Sequence, residues 1–220
     1  MSEASRRTTL RSIDAGALRR LFEGRRGEEP RLPGPAAQMR MAPPHRDSGP
    51  KRADFRDAAV LVLFYPRGGS LYFPLTLRSE DTGSHKGQVS LPGGSREEGE
   101  TLVETALRET REEIGVDPAL AKVIGRLSAL DIPHSGFHVH PFVAFADAAP
   151  SFALERREVA ELIETPLAEL LAEDAARFEE RSYGGGVDLL PYYRLGGHKV
   201  WGATAMILAE LREILAPLIQ

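Results

Sequence analysis

The sequence of 220 residues contains no cysteine. Disulfides, thiolate metal sites and cysteine nucleophiles are therefore excluded. Long hydrophobic runs are also missing, because even the apolar run from Ala58 to Tyr65 is too short to cross a bilayer. The first residues, MSEASRRTTLRS, lack the apolar core of a secretory signal, although their Arg and Ser content leaves a transit peptide open for a eukaryotic source.

The overall charge is small for a chain of this size. The formal net charge is -4, with 42% hydrophobic and 27% charged residues, which is ordinary for a globular protein. A negative balance argues against broad electrostatic binding of nucleic acid. We therefore expect no nucleic-acid partner, and the lack of a long apolar run predicts no membrane partner. The Arg-rich, Lys-poor composition hints at a cytoplasmic protein, and the sequence leaves the oligomeric state open, with a homodimer as one option.

Two regions of different composition divide the chain. Residues 1–51 combine one short helix, carrying Leu18, Leu21 and Phe22, with a segment rich in Pro, Gly and Arg that reads as irregular and flexible. Residues 52–220 carry the regular hydrophobic patterns and are predicted to form the main domain.

The order of elements in the main domain predicts an α/β fold. A buried strand and a hairpin arm come first, a central helix follows, and further strands lead to a closing helix. The predicted strands are Ala58 to Tyr65, Leu71 to Ser79, Val123 to Leu130, Phe137 to Ala146, and a last hairpin joined by Gly196-Gly197. Pro166 is predicted to separate a further strand from a short helix, and the closing helix is predicted over Ala203 to Leu215.

The stretch GGSREEGETLVETALRETREEIGV, from Gly93 to Val116, concentrates seven glutamates. Thr101 and Glu104 have the spacing of a capping box, and Gly115 suits the end of a helix. These signals predict a helix over Leu102 to Ile114.

One face of this helix is acidic, and this acidic face has two possible interpretations. Glu109, Glu112 and Glu113 stand at i, i+3 and i+4, so their carboxylates share a face. A solvated charged face is one explanation, and the nearby arginines would pair with it. The other is a site for a hard cation, since carboxylates one turn apart can reach a common ion.

The spacing around the helix resembles a complete Nudix box. Gly94 is followed after five residues by Glu100, after seven more by Arg108-Glu109, and then by Glu112-Glu113 and Gly115-Val116. The resemblance implies a Nudix fold, a mixed β-sheet sandwiched between α-helices. It also implies hydrolysis of a nucleoside diphosphate linked to another moiety.

The resemblance also assigns roles to the residues of the box. It implies Mg²⁺ or Mn²⁺ as cofactor, with Glu109, Glu112 and Glu113 as metal ligands and Glu100 as an auxiliary metal residue. Arg108 would hold the glutamates by charge-assisted hydrogen bonds. Glu112, Glu113 and Arg108 are thus the predicted catalytic residues, while the general base lies either in the box or on a separate loop.

The segment before the box is similar to the signature of the coenzyme A diphosphatase branch. LTLRSEDTGSHKGQVSLPGG matches it at Thr76, Arg78, Ser79, Gly87 and the Pro-Gly-Gly turn, and departs from it at Pro74, Gly83 and Leu91. The resemblance implies cleavage of coenzyme A or its thioesters to 3′,5′-ADP and 4′-phosphopantetheine. The predicted substrate-binding residues are Arg78, His85, Lys86, Gly93 and Gly94, with the basic ones as candidates for the 3′-phosphate.

Two other functions fit the same residues. One is a broader diphosphatase acting on ADP-ribose or nucleotide sugars, and the other is a non-catalytic Nudix module that binds a nucleotide. The intact box favours catalysis. His134, His138 and His140 are interpreted as loop and strand residues rather than a metal cluster, and Trp201 as a core aromatic.

Overall fold

The computed structural model describes residues 15–22, 32–46, 54–80, 87–183 and 186–218. Two sheets and several helices build the fold. The strands are β1 (Arg56–Arg67), β2 (Ser70–Arg78), β3 (Val89–Ser90), β4 (Gly93–Ser95), β5 (Lys122–Arg126), β6 (Leu130–Ile132), β7 (Phe137–Phe145), β8 (Val159–Pro166), β9 (Ala176–Tyr183), β10 (Gly186–Leu195) and β11 (His198–Val200). The helices are α1 (Ala15–Phe22), α2 (Pro35–Gln38), α3 (Leu102–Ile114), α4 (Leu167–Leu171) and α5 (Gly202–Leu215), with 3-10 turns at Met39–Met41, Pro118–Leu120 and Ala216–Leu218.

Strand β1 organises the larger sheet. It pairs in parallel with β7 over Arg56–Phe64 and antiparallel with the short β4 through Ala58–Val60. Its far end forms the hairpin with β2, which in turn pairs with β3 and β8, while β5 and β6 pair with β7. Strands β9, β10 and β11 form a second, antiparallel sheet.

The two faces of β1 enter two different hydrophobic cores. Val62 and Phe64 point into the core that contains α5, whereas Leu61 and Leu63 point into the core that contains α3. A continuous apolar run is typical of a strand that is buried on both faces, and β1 has this pattern. The predicted mixed sheet between helices is confirmed. No helix in the described ranges is long and apolar enough to cross a membrane.

Helix α3 spans the predicted residues, and its two ends have the predicted caps. The Thr101 hydroxyl accepts from the backbone N–H of Glu104 at 3.3 Å, and the Glu104 carboxylate accepts from the backbone N–H of Thr101 at 2.8 Å. Gly115 ends the helix in the left-handed conformation, with φ 74°, and donates to the Arg111 carbonyl at 2.8 Å.

Two strand predictions need correction. Strand β9 was not predicted, because ARFEERSY has no regular apolar alternation. This strand forms through its antiparallel pairing with β10. The strand predicted over Val123 to Leu130 is broken, with β5 ending at Arg126. There the backbone N–H of Ser128 donates to the buried Glu210 carboxylate instead of continuing a ladder.

The amino-terminal residues that the structure describes pack on the main domain. Leu18 and Phe22 of α1 are buried, and Phe22 lies so close to Gly125 that a Cβ there would collide with it. Residues 32–46 fall in the segment interpreted as irregular, yet they form α2 and a 3-10 turn with Met41 buried in the core. The domain boundary at residue 52 stays a prediction.

Candidate active site

The turn before α3 brings backbone and carboxylate into close contact. Gly93 has φ 151°, and a Cβ there would overlap the Ala59 carbonyl of β1. A Cβ on Gly94 would overlap the carboxylate of Glu109. Gly93 is therefore required by space because it meets backbone atoms, whereas a side chain on Gly94 would displace the Glu109 carboxylate.

Glu113 is a buried carboxylate at the floor of the site. Its side chain is 2% exposed, with the Nη1 of Arg78 3.5 Å from Oε1 and the backbone N–H of Gly93 donating to Oε2 at 3.2 Å. Burial raises the pKa of Glu113 to about 8, and the charges of Glu109 and Glu158 act in the same direction. Arg78 and the Gly93 amide oppose this shift without cancelling it.

Arg108 is the hub of the acidic face. Its Nε donates to Glu100 Oε1 at 2.6 Å, and its Nη1 lies 3.0 Å from both Glu109 Oε1 and Glu112 Oε2. Its Nη2 donates to the Ser95 carbonyl at 3.0 Å, which ties the helix to the turn. Arg108 thus contacts glutamates and backbone, the arrangement expected of a planar guanidinium that holds several carboxylates.

The remaining box glutamates differ in their surroundings. The Arg108 hydrogen bonds hold the pKa of Glu100 down at about 2, and the hydroxyl of Thr105 also donates to Glu100, at 2.9 Å. Glu112 is 58% exposed, and its carboxylate pairs with Arg108. Glu109 is half-buried, and desolvation raises its pKa despite the neighbouring Arg108.

Sequence reasoning missed a further carboxylate, Glu158. The loop that carries it is hydrogen-bonded to the end of α3, since the backbone N–H of Glu155 donates to the Glu113 carbonyl at 3.0 Å. The Glu158 carbonyl accepts from the N–H of Ser79 at 2.9 Å, next to Arg78. No motif marks this loop, so its tertiary position alone reveals that Glu158 belongs to the site.

A cleft of about 750 Å³ extends from these carboxylates. Arg78, Gly93, Gly94, Glu109, Glu113 and Glu158 line one end. The other end is lined mainly by apolar side chains of β6, β7, β10 and the start of α5. Trp201, interpreted from sequence as a core aromatic, lines this cleft, with the Arg181 guanidinium 5.1 Å from its ring centroid.

The three histidines do not join the carboxylates of the site. His138 pairs with Asp131 at 2.5 Å and His140 with Asp57 at 3.0 Å, and the two rings meet edge to face at 4.5 Å. His134 lies in the cleft lining.

The structure therefore brings together most of the predicted site residues. Arg78, Gly93, Gly94, Glu109 and Glu113 meet at one end of the cleft, and Glu100, Arg108 and Glu112 lie beside them. His85 and Lys86 lie outside the described residues. Within the described ranges, no three Asp, Glu or His side chains already form a coordination shell.

Comparison with known proteins decides the family. The NUDIX domain family matches residues 54–183. The chain belongs to this family. The protein named uncharacterized Nudix hydrolase NudL, from Pectobacterium atrosepticum, is 39% identical over 163 residues, covering 71% of this chain and 81% of its own length. The mitochondrial coenzyme A diphosphatase NUDT8 of Homo sapiens is 37% identical over 170 residues, covering 76% of this chain and 72% of its own length.

The architecture of this Nudix hydrolase is shared with a solved relative. A Nudix hydrolase from M. smegmatis, RenU, superposes with a TM-score of 0.51 at 21% identity, over 78% of this chain and 92% of that one. At this identity the likeness shows the fold alone. The family match and the named relatives establish that the protein is an enzyme, a hydrolase of the diphosphatase type.

Nudix hydrolases generally use divalent metal ions, and the residues present fit such an ion. Glu113 and Glu109 are desolvated carboxylates with raised pKa values, close to the further negative charge of Glu158. Arg78 gives Glu113 one cationic contact at 3.5 Å. Buried like charges require compensation, and oxygen donors are the ligands that Mg²⁺ and Mn²⁺ prefer.

Proposed function

We propose that this Nudix hydrolase cleaves the diphosphate of coenzyme A or its thioesters to 3′,5′-ADP and a 4′-phosphopantetheine species. The observation that carries the proposal is the cleft, which joins an end built from carboxylates and Arg78 to a long apolar end. Such a shape suits a charged diphosphate that bears an extended arm. The Thr76-to-Gly94 signature and the name of the human relative support the same substrate.

The diphosphate would lie at the charged end. The Nε of Arg78 is buried and has no hydrogen-bond partner among the described residues. A buried donor without a partner is costly, and a phosphate oxygen would satisfy it. We therefore assign Arg78 to the diphosphate, rather than to the 3′-phosphate for which the sequence also suggested it.

The carboxylates would hold the cation. Glu109 and Glu113 line the cleft, and the exposed Glu112 completes the set implied by the box. A bound Mg²⁺ or Mn²⁺ would supply neutralisation of the diphosphate charge and activation of water. Arg108 keeps the glutamates in place, and its hydrogen bonds with Glu100 fix its own orientation.

Glu158 is our candidate for the general base. It lies on the cleft wall, its side chain is exposed, and its negative charge is felt by both Glu109 and Glu113. Its carboxylate would accept the proton from the attacking water. We expect Glu158→Gln to lower kcat by about 10²–10⁴ while Mg²⁺ affinity stays close to wild type. Glu155→Gln on the same loop is the control, and equal effects of the two variants would reject the assignment.

Direct assay of substrates tests the proposed function. Coenzyme A, acetyl-coenzyme A, ADP-ribose and NADH would be incubated with Mg²⁺ or Mn²⁺, and the products identified by mass spectrometry. We expect 3′,5′-ADP and phosphopantetheine as the products of the preferred substrate. Efficient cleavage of ADP-ribose without cleavage of coenzyme A would instead establish the broader nucleoside diphosphate hydrolase. The cytoplasmic location and the homodimer stay predictions, to be tested by cell fractionation and sedimentation.

A further inference from the structure

The apolar end of the cleft is built partly by residues outside the family match. Four consecutive residues, Pro43–Arg46, line it from the amino-terminal side, and we name this segment the strap. From the other end of the chain, Asp188, Leu190 and Trp201 line the same space. The region that matches the family, residues 54–183, therefore leaves this part of the cleft incomplete.

The chain is anchored just before the strap. The buried carboxylate of Glu210 accepts from the backbone N–H of Gly34 at 3.1 Å and from the amide of Gln38 at 2.9 Å. Met41, two residues before the strap, is 3% exposed and belongs to the main core. The residues that precede the strap are therefore held in place by the core.

The far end of the strap is tied to both sides of the cleft. His45 Nε2 lies 2.9 Å from Asp188 Oδ2 of β10, and the Arg46 guanidinium donates to the Asp131 carbonyl of β6. Among the described non-glycine residues, His45 alone has a positive φ, of 58°. A bulky residue rarely adopts this conformation unless its surroundings impose it.

Three polar side chains around the strap have partners within the protein. His45 is paired with Asp188, Arg46 with the Asp131 carbonyl, and Arg181 with Glu179 at 3.1 Å. What faces the open space is largely apolar, and it includes Pro43, Pro44, Ile132, Pro133, Phe137 and Leu190. An uncharged chain placed against these side chains would gain apolar contact.

We propose that the strap and the wall facing it form a subsite for a long uncharged arm attached to the substrate diphosphate. His45 and Asp188 are specificity-determining residues, because their link holds the strap against β10 and so sets the width of the subsite. This inference rests on the proposed function, and it adds that the arm, and not the nucleotide alone, is recognised by residues outside the family match.

Comparison of a ligand that has the arm with one that lacks it tests the inference. The KM of coenzyme A and the inhibition constant of 3′,5′-ADP would be measured for wild type, His45→Ala, Asp188→Ala and the double variant. Loss of the link should raise the KM of coenzyme A about five- to tenfold, the effect of one hydrogen bond. The inhibition constant of 3′,5′-ADP should move much less, and kcat should change less than KM. The double variant should be no worse than either single one, since both remove the same link.

A matched control is available on the neighbouring strand. His198 pairs with Glu161 at 3.2 Å and does not line the cleft, so His198→Ala removes a similar pair without reaching the subsite. Thermal melts of all variants would show that each is folded. Parallel shifts of KM and inhibition constant, or no shift of either, would overturn the subsite while leaving coenzyme A hydrolysis intact. A wild type that does not cleave coenzyme A would reject the proposed function, and this inference with it.

Discussion

Glu113 carries its carboxylate where water does not reach it, and this has a consequence for stability. Its ordinary pKa of 4.5 is raised to about 8 in the folded protein, mainly by burial. Below pH 4.5 the group is neutral in both folded and unfolded states. Between pH 4.5 and 8 the Glu113 carboxyl is ionised in the unfolded chain but still protonated in the folded protein, so the free energy of unfolding decreases as pH rises.

The first prediction therefore concerns metal-free protein. In EDTA, wild type should lose on the order of 1–3 kcal/mol more than Glu113→Gln between pH 5 and pH 8, because Gln keeps the shape and acquires no charge. Urea unfolding across this pH range measures the difference. Mg²⁺ should stabilise wild type at pH 8 and act far less on the variant. Identical pH profiles would mean that Glu113 is compensated without a cation.

Arg108 gives the second prediction at the scale of a residue. Its contacts to Glu100, Glu109 and Glu112 use the fork of the guanidinium, which a lysine ammonium cannot reproduce. Arg108→Lys should lower kcat/KM by about 10- to 100-fold, equivalent to about 1.4–2.7 kcal/mol. Arg111→Lys, at an exposed position of the same helix, should stay within about twofold of wild type. Steady-state kinetics of the pair decides, and an active Arg108→Lys enzyme would contradict the hub role.

At the scale of elements, local signals were sufficient for α3 and insufficient for β9 and for the end of β5. Helix α3 follows from the Thr101 cap and Gly115, which act within one turn. Strand β9 depends on its partner β10, and the break after Arg126 depends on Glu210, far away in sequence. Glu158 was missed for the same reason, because its loop reaches the site through hydrogen bonds to α3 and β2.

The glycines of the β4 turn give a prediction about how this turn meets α3. Gly94 does not have a positive φ, so the cost of Gly94→Ala is overlap of the new methyl with the Glu109 carboxylate. We expect it to reduce kcat at least about tenfold, equivalent to about 1.4 kcal/mol in the barrier. Gly99 has φ 85° and open space around its Cα, so Gly99→Ala should cost about 1–2 kcal/mol of stability and little activity. Kinetics and urea unfolding of both variants test this contrast. The reverse pattern would show that the turn does not position Glu109.

At the scale of the whole molecule, the site depends on segments that the family match does not include. Helix α5 lies beyond residue 183, and its Met206, Leu208 and Leu211 belong to the main core. Its Glu210 accepts a hydrogen bond from the backbone N–H of Gly34 and so holds the amino-terminal segment. Helix α3 could be predicted from its caps and most strands of the main domain from their apolar patterns, and the resemblance to the Nudix box implied the sandwich. The sequence did not place the strap against the cleft, since a Pro-rich segment carries no periodic signal of its own.

Glu210 of α5 holds the amino-terminal segment by hydrogen bonds, and its removal should destabilise the fold, most of all in that segment. Its carboxylate accepts from Gly34, Gln38 and Ser128, all within 3.2 Å, and the side chain is buried. Glu210→Ala leaves the backbone N–H of Gly34 and the N–H and hydroxyl of Ser128 without this acceptor, while Gln38 keeps its hydrogen bond to the Ser128 carbonyl, so we expect a loss of about 3–5 kcal/mol. Glu213→Ala, one turn further along α5, removes a partly exposed pair with Arg40 and should cost less than about 1 kcal/mol. Urea unfolding gives both values. Amide hydrogen exchange should speed up more in residues 34–46 of Glu210→Ala, relative to wild type, than in β1 or β7. Equal acceleration in all of these segments would mean that Glu210 supports the core as a whole rather than anchoring the strap.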